Sequence, residues 1–209
     1  MIFKQLMVGS MGVCSYIIGC EETKKGAVVD PGGDENKILD EVRSLGLEVE
    51  YIIATHGHPD HVCGNRIIKE ATGGAILMHE KDAEFFENPE TQSYFSMLGL
   101  EPSPPADVRV QEGDIVKIGK LEFKVIHTPG HTPGGMCLYC EPDLITGDTL
   151  FAGGVGRTDF PGGSYDELIN SLKTKLLSLP DETIVWPGHG YGGMQSTIAD
   201  EKRSNPYLR

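Results

Sequence analysis

The sequence predicts an α/β fold in which two β-sheets pack face to face and helices cover their outer faces. Three observations carry this expectation. Short apolar or alternating runs that read as strands recur along the chain, and helical stretches fall between them. A segment from Glu87 to Asp107 carrying Pro89, Pro102, Pro104 and Pro105 reads as a linker. It divides the chain into two halves of similar mixed content, about 1–107 and 108–209, within a single domain. With 209 residues, 39% of them hydrophobic, the chain can bury a sizeable core.

The elements follow in order. Ile2–Val8 and Cys14–Ile18 read as strands leading into "GAVVDPGG" at Gly26 to Gly33. Ile38, Leu39, Val42 and Leu45 are spaced for one helical face, which predicts a helix from Asp34 to Leu45 with Asp34 as its N-cap. Tyr51–Ala54 is a buried strand, and "AILMH" ending at His79 another. Leu121, Phe123 and Val125 alternate with Glu122 and Lys124, the pattern of a half-buried strand. Gly135–Tyr139, Leu144–Thr146 and Thr183–Trp186 complete the strands. Ser164 and Glu167 form a capping box ahead of Leu168, Ile169, Leu172, Leu176 and Leu177, which predicts a helix there.

Composition narrows the function classes. Lys and Arg number 18 against 31 Asp and Glu, a net charge of −13, which opposes binding to nucleic acid or anionic membranes. Five cysteines are an odd number and sparse for this length, unlike a disulfide framework, so a reducing cytoplasm is expected. Ile17-Ile18-Gly19-Cys20 resembles a lipoprotein cleavage box, but cleavage there would remove both N-terminal strands, so export is not expected. No apolar run approaches the roughly 18 residues of a membrane-spanning helix.

Four polar motifs sit at strand exits: "THGHPDH" after Ala54, "HTPGHTPGG" after Ile126, "TGDTLF" after Ile145 and "WPGHG" after Val185. Loops leaving one edge of a sheet assembly can converge. Together they would deliver His56, His58, Asp60, His61, His131, Asp148 and His189. Seven imidazole and carboxylate ligands exceed the four that one tetrahedral zinc uses, so two metal ions are the simplest stoichiometry. The expected first set is His56, His58, His131 and Asp148; the second is Asp60, His61, His189 and the shared Asp148. Nitrogen and oxygen donors suit zinc, and iron or manganese also accept them. His79 and His127 are expected to be structural. "CLYC", Cys137 to Cys140, has the spacing of a metal or redox site, but strand geometry points its ends to opposite faces, so both read as core cysteines.

These motifs, with "GAVVDPGG" and the C-terminal "EKRSNPYL", resemble the metallo-β-lactamase superfamily over nearly the whole chain. The resemblance implies an αββα sandwich and carries the two-metal assignment onto the same seven residues. "GDTLFAGGVGRTDFPGG" is most similar to type II glyoxalases, the hydroxyacylglutathione hydrolases, in their short form without a C-terminal helical domain. Arg157 stands where the long enzymes have a basic residue that contacts glutathione, and would clamp a carboxylate unless it pairs with Asp159. The long enzymes place an aromatic two positions further on. This chain has Asp159 there and Phe160 next to it, which makes Phe160 the candidate substrate contact.

The expected chemistry is hydrolysis of a small-molecule thioester such as S-lactoylglutathione. A hydroxide bridging two cations is accessible at neutral pH because metal binding lowers the pKa of water from 15.7 to about 7. Asp60 would orient it and handle its proton. The thiolate leaves readily, with an ordinary pKa near 8.5. A persulfide dioxygenase with one iron is the alternative, sharing "GRTDF" at Gly156–Phe160 but resembling "PAHD" where this chain has "PGHG". A lactonase would share the metal site and differ in the pocket.

Overall fold

A computed structural model describes all 209 residues. The first sheet is built in spatial order from β1 (Ile2–Val8), β2 (Val13–Gly19), β3 (Lys25–Val29), β4 (Glu48–Ile53), β5 (Ala75–His79) and β6 (Val108–Val110). β1, β2 and β3 pair antiparallel, and β3 to β6 run parallel. Helices must bridge those parallel strands. They are α1 (Glu35–Ser44), α2 (Pro59–Val62), α3 (Asn65–Thr72), α4 (Glu80–Glu87) and α5 (Pro89–Phe95).

The second sheet begins at its free edge with β7 (Ile115–Ile118), then β8 (Leu121–His127), β9 (Met136–Cys140) and β10 (Asp143–Gly147). A two-stranded ribbon of β11 (Leu150–Phe151) and β12 (Gly154–Val155) and the helix α6 (Tyr165–Ser171) follow β10. β13 (Ile184–Pro187) then pairs parallel to β10, and β14 (Ser196–Thr197) closes the edge before the helix α7 (Ile198–Ser204). Both sheets are therefore mixed.

Alternation along the strands sorts side chains into three apolar layers. Tyr16, Ile18, Val29, Ile53 and Leu77 of the first sheet face Phe123, Val125, Met136, Leu138 and Ile145 of the second, all buried in one cluster. Ile38, Leu39 and Val42 of α1 and Ile68 of α3 cover the outer face of the first sheet, over Ile17, Val28, Ile52 and Ile76. Leu168, Leu172, Leu176 and Ile198 cover the second, over Ile126, Leu144 and Val185. This is the αββα sandwich. Each such aliphatic side chain contributes about 1.5–3 kcal/mol when fully buried, so the three layers dominate the stability. No helix is long and apolar enough to cross a membrane.

Several sequence expectations need correction. The segment from Glu87 to Asp107 is not a linker: it forms α5 and a helical turn at Ser96–Leu98, and it buries Phe95. Pro89 misled the reading because it sits in the first turn of α5, where proline is favoured, behind the capping Asn88 Oδ1, which accepts from Glu90 N–H at 2.8 Å. β6 lies just beyond the expected division at 107 yet belongs to the first sheet. Asp34 occupies the N-cap position of α1 in a left-handed conformation (φ 49°), but its carboxylate accepts from Gly9 N–H instead of capping the helix. Ser164 Oγ does accept from Glu167 N–H, at 3.4 Å, whereas the Ser164 N–H goes to Gly130 O, so the reciprocal half of the capping box is missing. The helix continues past Ser171 only as a wide turn over Leu172–Leu176.

The cysteines are all free. Cys137 joins the layer under α6, and Cys140 packs against the inter-sheet core from the opposite face. His79 and His127 stack with ring centroids 4.0 Å apart and planes 14° from parallel. His79 Nδ1 caps α4 by accepting from Lys81 N–H, and His127 Nε2 donates to the Pro133 carbonyl. Burial, with His127 beside it, pushes the pKa of His79 down to about 4. The unfolded chain binds a proton near pH 6.5, before the folded one does, so stability must fall as pH drops through this window. Denaturant midpoints should decline from pH 6.5 to 4, and less steeply in His79→Asn, which keeps a capping acceptor; parallel declines would show that His79 is not responsible.

Candidate metal centre

Each site residue lies where a strand ends. His56 and His58 follow β4, and Asp60 and His61 lie in the single turn α2, whose first residue is Pro59. His131 follows β8, Asp148 follows β10 and His189 follows β13. The two sheets are tied at this rim: Cys14 N–H donates to Gly188 O at 2.7 Å, and Tyr16 Oη donates to Pro187 O. All seven residues predicted as ligands meet here. His61 is fully buried, and the other four histidines are at most 5% exposed.

Two groups of their donor atoms each lie within 4.8 Å, His56, His58 and His131, and Asp60, His61 and His189; a third group of the same tightness, Asp30, His56 and His61, joins them. His58 Nδ1 lies 2.9 Å from His131 Nε2, and His61 Nε2 lies 3.2 Å from His189 Nε2. Nitrogens bound to one tetrahedral ion at 2.0–2.1 Å would sit about 3.3 Å apart, so both spacings suit shared ligation. Asp148 stands between the groups. Its Oδ1 is 3.4 Å from His61 Nε2, and its Oδ2 is 3.7 Å from His131 Nε2 and 3.6 Å from His189 Nε2. His56 Nε2 and Asp148 Oδ1 are buried without a hydrogen-bond partner. Buried polar atoms rarely stay unpartnered, and the donor set fits divalent cations.

The opposite ring nitrogens set the orientation of the imidazoles. His131 Nδ1 donates to the Arg157 carbonyl at 2.6 Å, and His61 Nδ1 to Asp30 Oδ2 at 3.0 Å. His56 Nδ1 pairs with Thr55 Oγ1, which itself donates to Asp30. Such partners fix tautomer and aim. Burial, then the neighbouring imidazoles, pushes the pKa values of His56 and His58 well below the usual range, and burial lowers His131 as well. These three are therefore neutral, as metal ligation requires. Burial also opposes charge on His61, yet Asp148, Asp60 and Asp30 outweigh it and hold its pKa up to about 10. Asp60 is lowered far below the carboxylate range: burial opposes this, but His61, His189 and His58 prevail.

Sequence reasoning missed two carboxylates that organise the loops. Asp30, in "VVDPGG", sits at the exit of β3 with φ 48°, and its Oδ1 accepts Thr55 N–H at 2.7 Å. Its strand-exit position was a readable signal. Asp82 on α4 had none, because "EKDAEFFE" reads as an ordinary surface helix. Yet Asp82 is fully buried and accepts three hydrogen bonds, from Gly57 N–H (2.9 Å), Thr132 Oγ1 (2.8 Å) and Gly134 N–H (2.5 Å). One carboxylate thereby clamps the loop of His56 and His58 to the loop of His131. Desolvation raises its pKa to about 6, against the pull of those three bonds.

The walls are aromatic. Phe86, Phe95 and Phe160 pack around His58 at centroid distances of 5.5, 5.0 and 5.3 Å, and Tyr191 stacks on His189 at 4.8 Å. Gly57 must lack a side chain, since a Cβ there would lie 2.2 Å from Phe86; a Cβ on Gly188 would lie 2.2 Å from Asp148 Oδ1. Arg157 lies over the Phe160 ring at 4.4 Å and pairs bidentately with Asp159, both exposed. Phe160 thus borders the site directly, whereas Arg157 has its guanidinium engaged at the surface.

An αββα sandwich with a histidine- and carboxylate-rich centre at the strand ends defines a class of metalloproteins, and the comparisons agree. The metallo-β-lactamase superfamily model matches residues 9–189, and the chain belongs to that superfamily. It is 41% identical over 199 residues to the hydroxyacylglutathione hydrolase GloC of Haemophilus influenzae, covering 93% of this chain and 92% of that protein. Among solved structures it is similar to BLEG-1, described as a B3 metallo-β-lactamase (TM-score 0.90, 32% identity, 99% of each chain). ETHE1 of Myxococcus xanthus gives a TM-score of 0.85 at 34% identity, over 99% of this chain and 84% of that one. TTHA1623 in a di-iron-bound form gives 0.84 at 35% identity, over 98% and 100%.

The Asp82 clamp makes a prediction. Asp82→Ala strands three buried donors, each costing about 1–3 kcal/mol, so the variant should be destabilised by about 3 kcal/mol or more. Losing a group that orients ligands typically weakens metal affinity roughly 10–100-fold, and a chelator titration of Asp82→Ala should show a loss in that range. Unchanged unfolding midpoint and metal affinity would exclude the clamp.

Proposed function

We propose that the protein is a binuclear metallo-hydrolase that cleaves a thioester such as S-lactoylglutathione to a hydroxy acid and a free thiol. The observation that carries this reading is the pair of donor groups with Asp148 between them. The likeness to GloC supports the substrate class, and the di-iron form of TTHA1623 supports two ions. His56, His58 and His131 would hold one divalent ion and Asp60, His61 and His189 the other, with Asp148 shared. Ions so held would supply an acidic water near neutral pH and an electrophile for the thioester carbonyl; zinc suits the donors and iron is the rival.

The chain's own residues do the rest. Asp60 orients the attacking water and takes part in moving its proton. Phe95 and Phe160, beside His58, line the acyl approach and keep it dry, which strengthens every charge interaction in the site. Arg157 meets a carboxylate of the thiol carrier by exchanging Asp159, since an exposed pair of this kind is weakly held. A leaving thiolate needs no general acid.

One observation favours a second reading. The likeness to ETHE1, with the "GRTDF" segment at Gly156–Phe160, supports a persulfide dioxygenase using a single iron.

Metal content per chain, measured on protein purified without added metal and coupled to an S-lactoylglutathione assay, separates the two. Two ions with thioester cleavage are expected. His189→Ala should fall to one ion and lose more activity than the roughly 10–100-fold typical of removing an outer partner of a ligand. One iron per chain, no hydrolysis, and oxygen uptake with glutathione persulfide would overturn the proposal. In Asp159→Ala, a freed Arg157 should lower KM for S-lactoylglutathione with little change in kcat; an unchanged KM would remove Arg157 from the binding site.

A further inference from the structure

A cavity of about 500 Å³ lies behind the metal-binding loop, enclosed by α4, α5 and residues 100–106. Val62, Met78, Ala83, Phe86, Phe95 and Leu100 supply its apolar surface, and Gln92, Ser93, Ser96 and Ser103 also line it. None of the seven candidate ligands lines it, although Gly57 and Pro59, on either side of His58, form part of its wall. Phe86 and Phe95, packed on the His58 ring, form the partition between cavity and metal centre. Its size suits a small organic molecule, for which pockets run roughly 300–1,000 Å³.

One buried polar atom in the lining lacks a partner. Glu87 Oε2 accepts from Arg109 Nη2 at 2.8 Å on the solvent side, and the Glu87 side chain as a whole is 34% exposed, but its Oε1 atom is buried without any donor. Such an acceptor calls for an N–H or O–H. Arg109 already balances the carboxylate charge and would repel an ammonium group, so a neutral donor fits best. We propose that this cavity is a second binding site, for an uncharged, apolar small molecule carrying one hydrogen-bond donor directed at Glu87. The inference does not depend on which reaction the metal centre performs.

Indole and 1-methylindole test this, because N-methylation removes the only donor at the cost of one added methyl group, and the Glu87→Gln variant separates the two effects. The full-length protein carries ¹³C-methyl methionine, with the Met78 signal assigned by its loss in Met78→Leu. Indole should shift the Met78 methyl resonance saturably and bind about tenfold or more tightly than 1-methylindole, because a site built around a hydrogen bond rejects the analogue that cannot make it. In Glu87→Gln the amide oxygen stays with Arg109 and the NH₂ faces the cavity, so the preference for indole should disappear. Ala83→Trp should fill the cavity and abolish the shift while metal content is retained; if that variant does not fold, Glu87→Gln decides alone. An unmoved Met78 signal, equal binding of the two probes, or a preference that persists in Glu87→Gln would overturn the proposal.

Discussion

Asp82 lies in the interior with no cation beside it and holds its place through hydrogen bonds from Gly57, Thr132 and Gly134. The metal centre depends on that arrangement. The two loops that carry His56, His58 and His131 are rich in glycine and proline and have little regular structure to define their paths. A buried carboxylate demands donors from whatever surrounds it, because leaving it unpaired costs far more than the bonds return. Two backbone N–H groups and a hydroxyl from separate loops can meet that demand only in one relative placement. Asp30 repeats the device on the other side, drawing Thr55 and His61 together. The sandwich supplies the stability, and these two acids convert it into precision at the site.

Much of the architecture was legible because it rests on contiguous patterns. The core strands were readable as apolar or alternating runs, and the ligand motifs were readable because each begins where such a run stops. What escaped reading was set by tertiary context. Pro89 looked like a linker residue because proline is ambiguous: the same ring that breaks a helix interior is favoured in a first turn. Asp82 was invisible because its three partners come from sequence positions 25 and 50 or more residues away. Asp34 shows the converse, a residue well suited to cap a helix whose carboxylate is instead recruited by Gly9 of the β1–β2 hairpin.

The two donor groups differ in electrical character as well as position. His56, His58 and His131 form a neutral nitrogen face, kept uncharged by burial and by one another. Around His61 the balance reverses, because Asp60, Asp148 and Asp30 all lie near it. Asp148 reaches both groups. A pair of cations in such a setting would be held unequally, the second by two carboxylates and more strongly coupled to pH and to ionic surroundings. Asymmetry of this kind lets a centre keep one position fixed while the other adjusts to substrate.

The surface poses the remaining constraint. A chain of net charge −13 repels anions at a distance, so any attraction for one must come from a local cation. Arg157 is the cation in view beside Phe160, and it is pinned by Asp159 in an exposed pair that a bound carboxylate can exchange. Its carbonyl meanwhile fixes His131. One residue therefore joins the outer rim to the metal centre: its guanidinium faces the solvent, and its backbone oxygen sets the aim of an imidazole inside. A displacement of the Arg157 carbonyl would reach the His131 ring through a hydrogen bond of 2.6 Å, which ties the rim to the geometry of the centre.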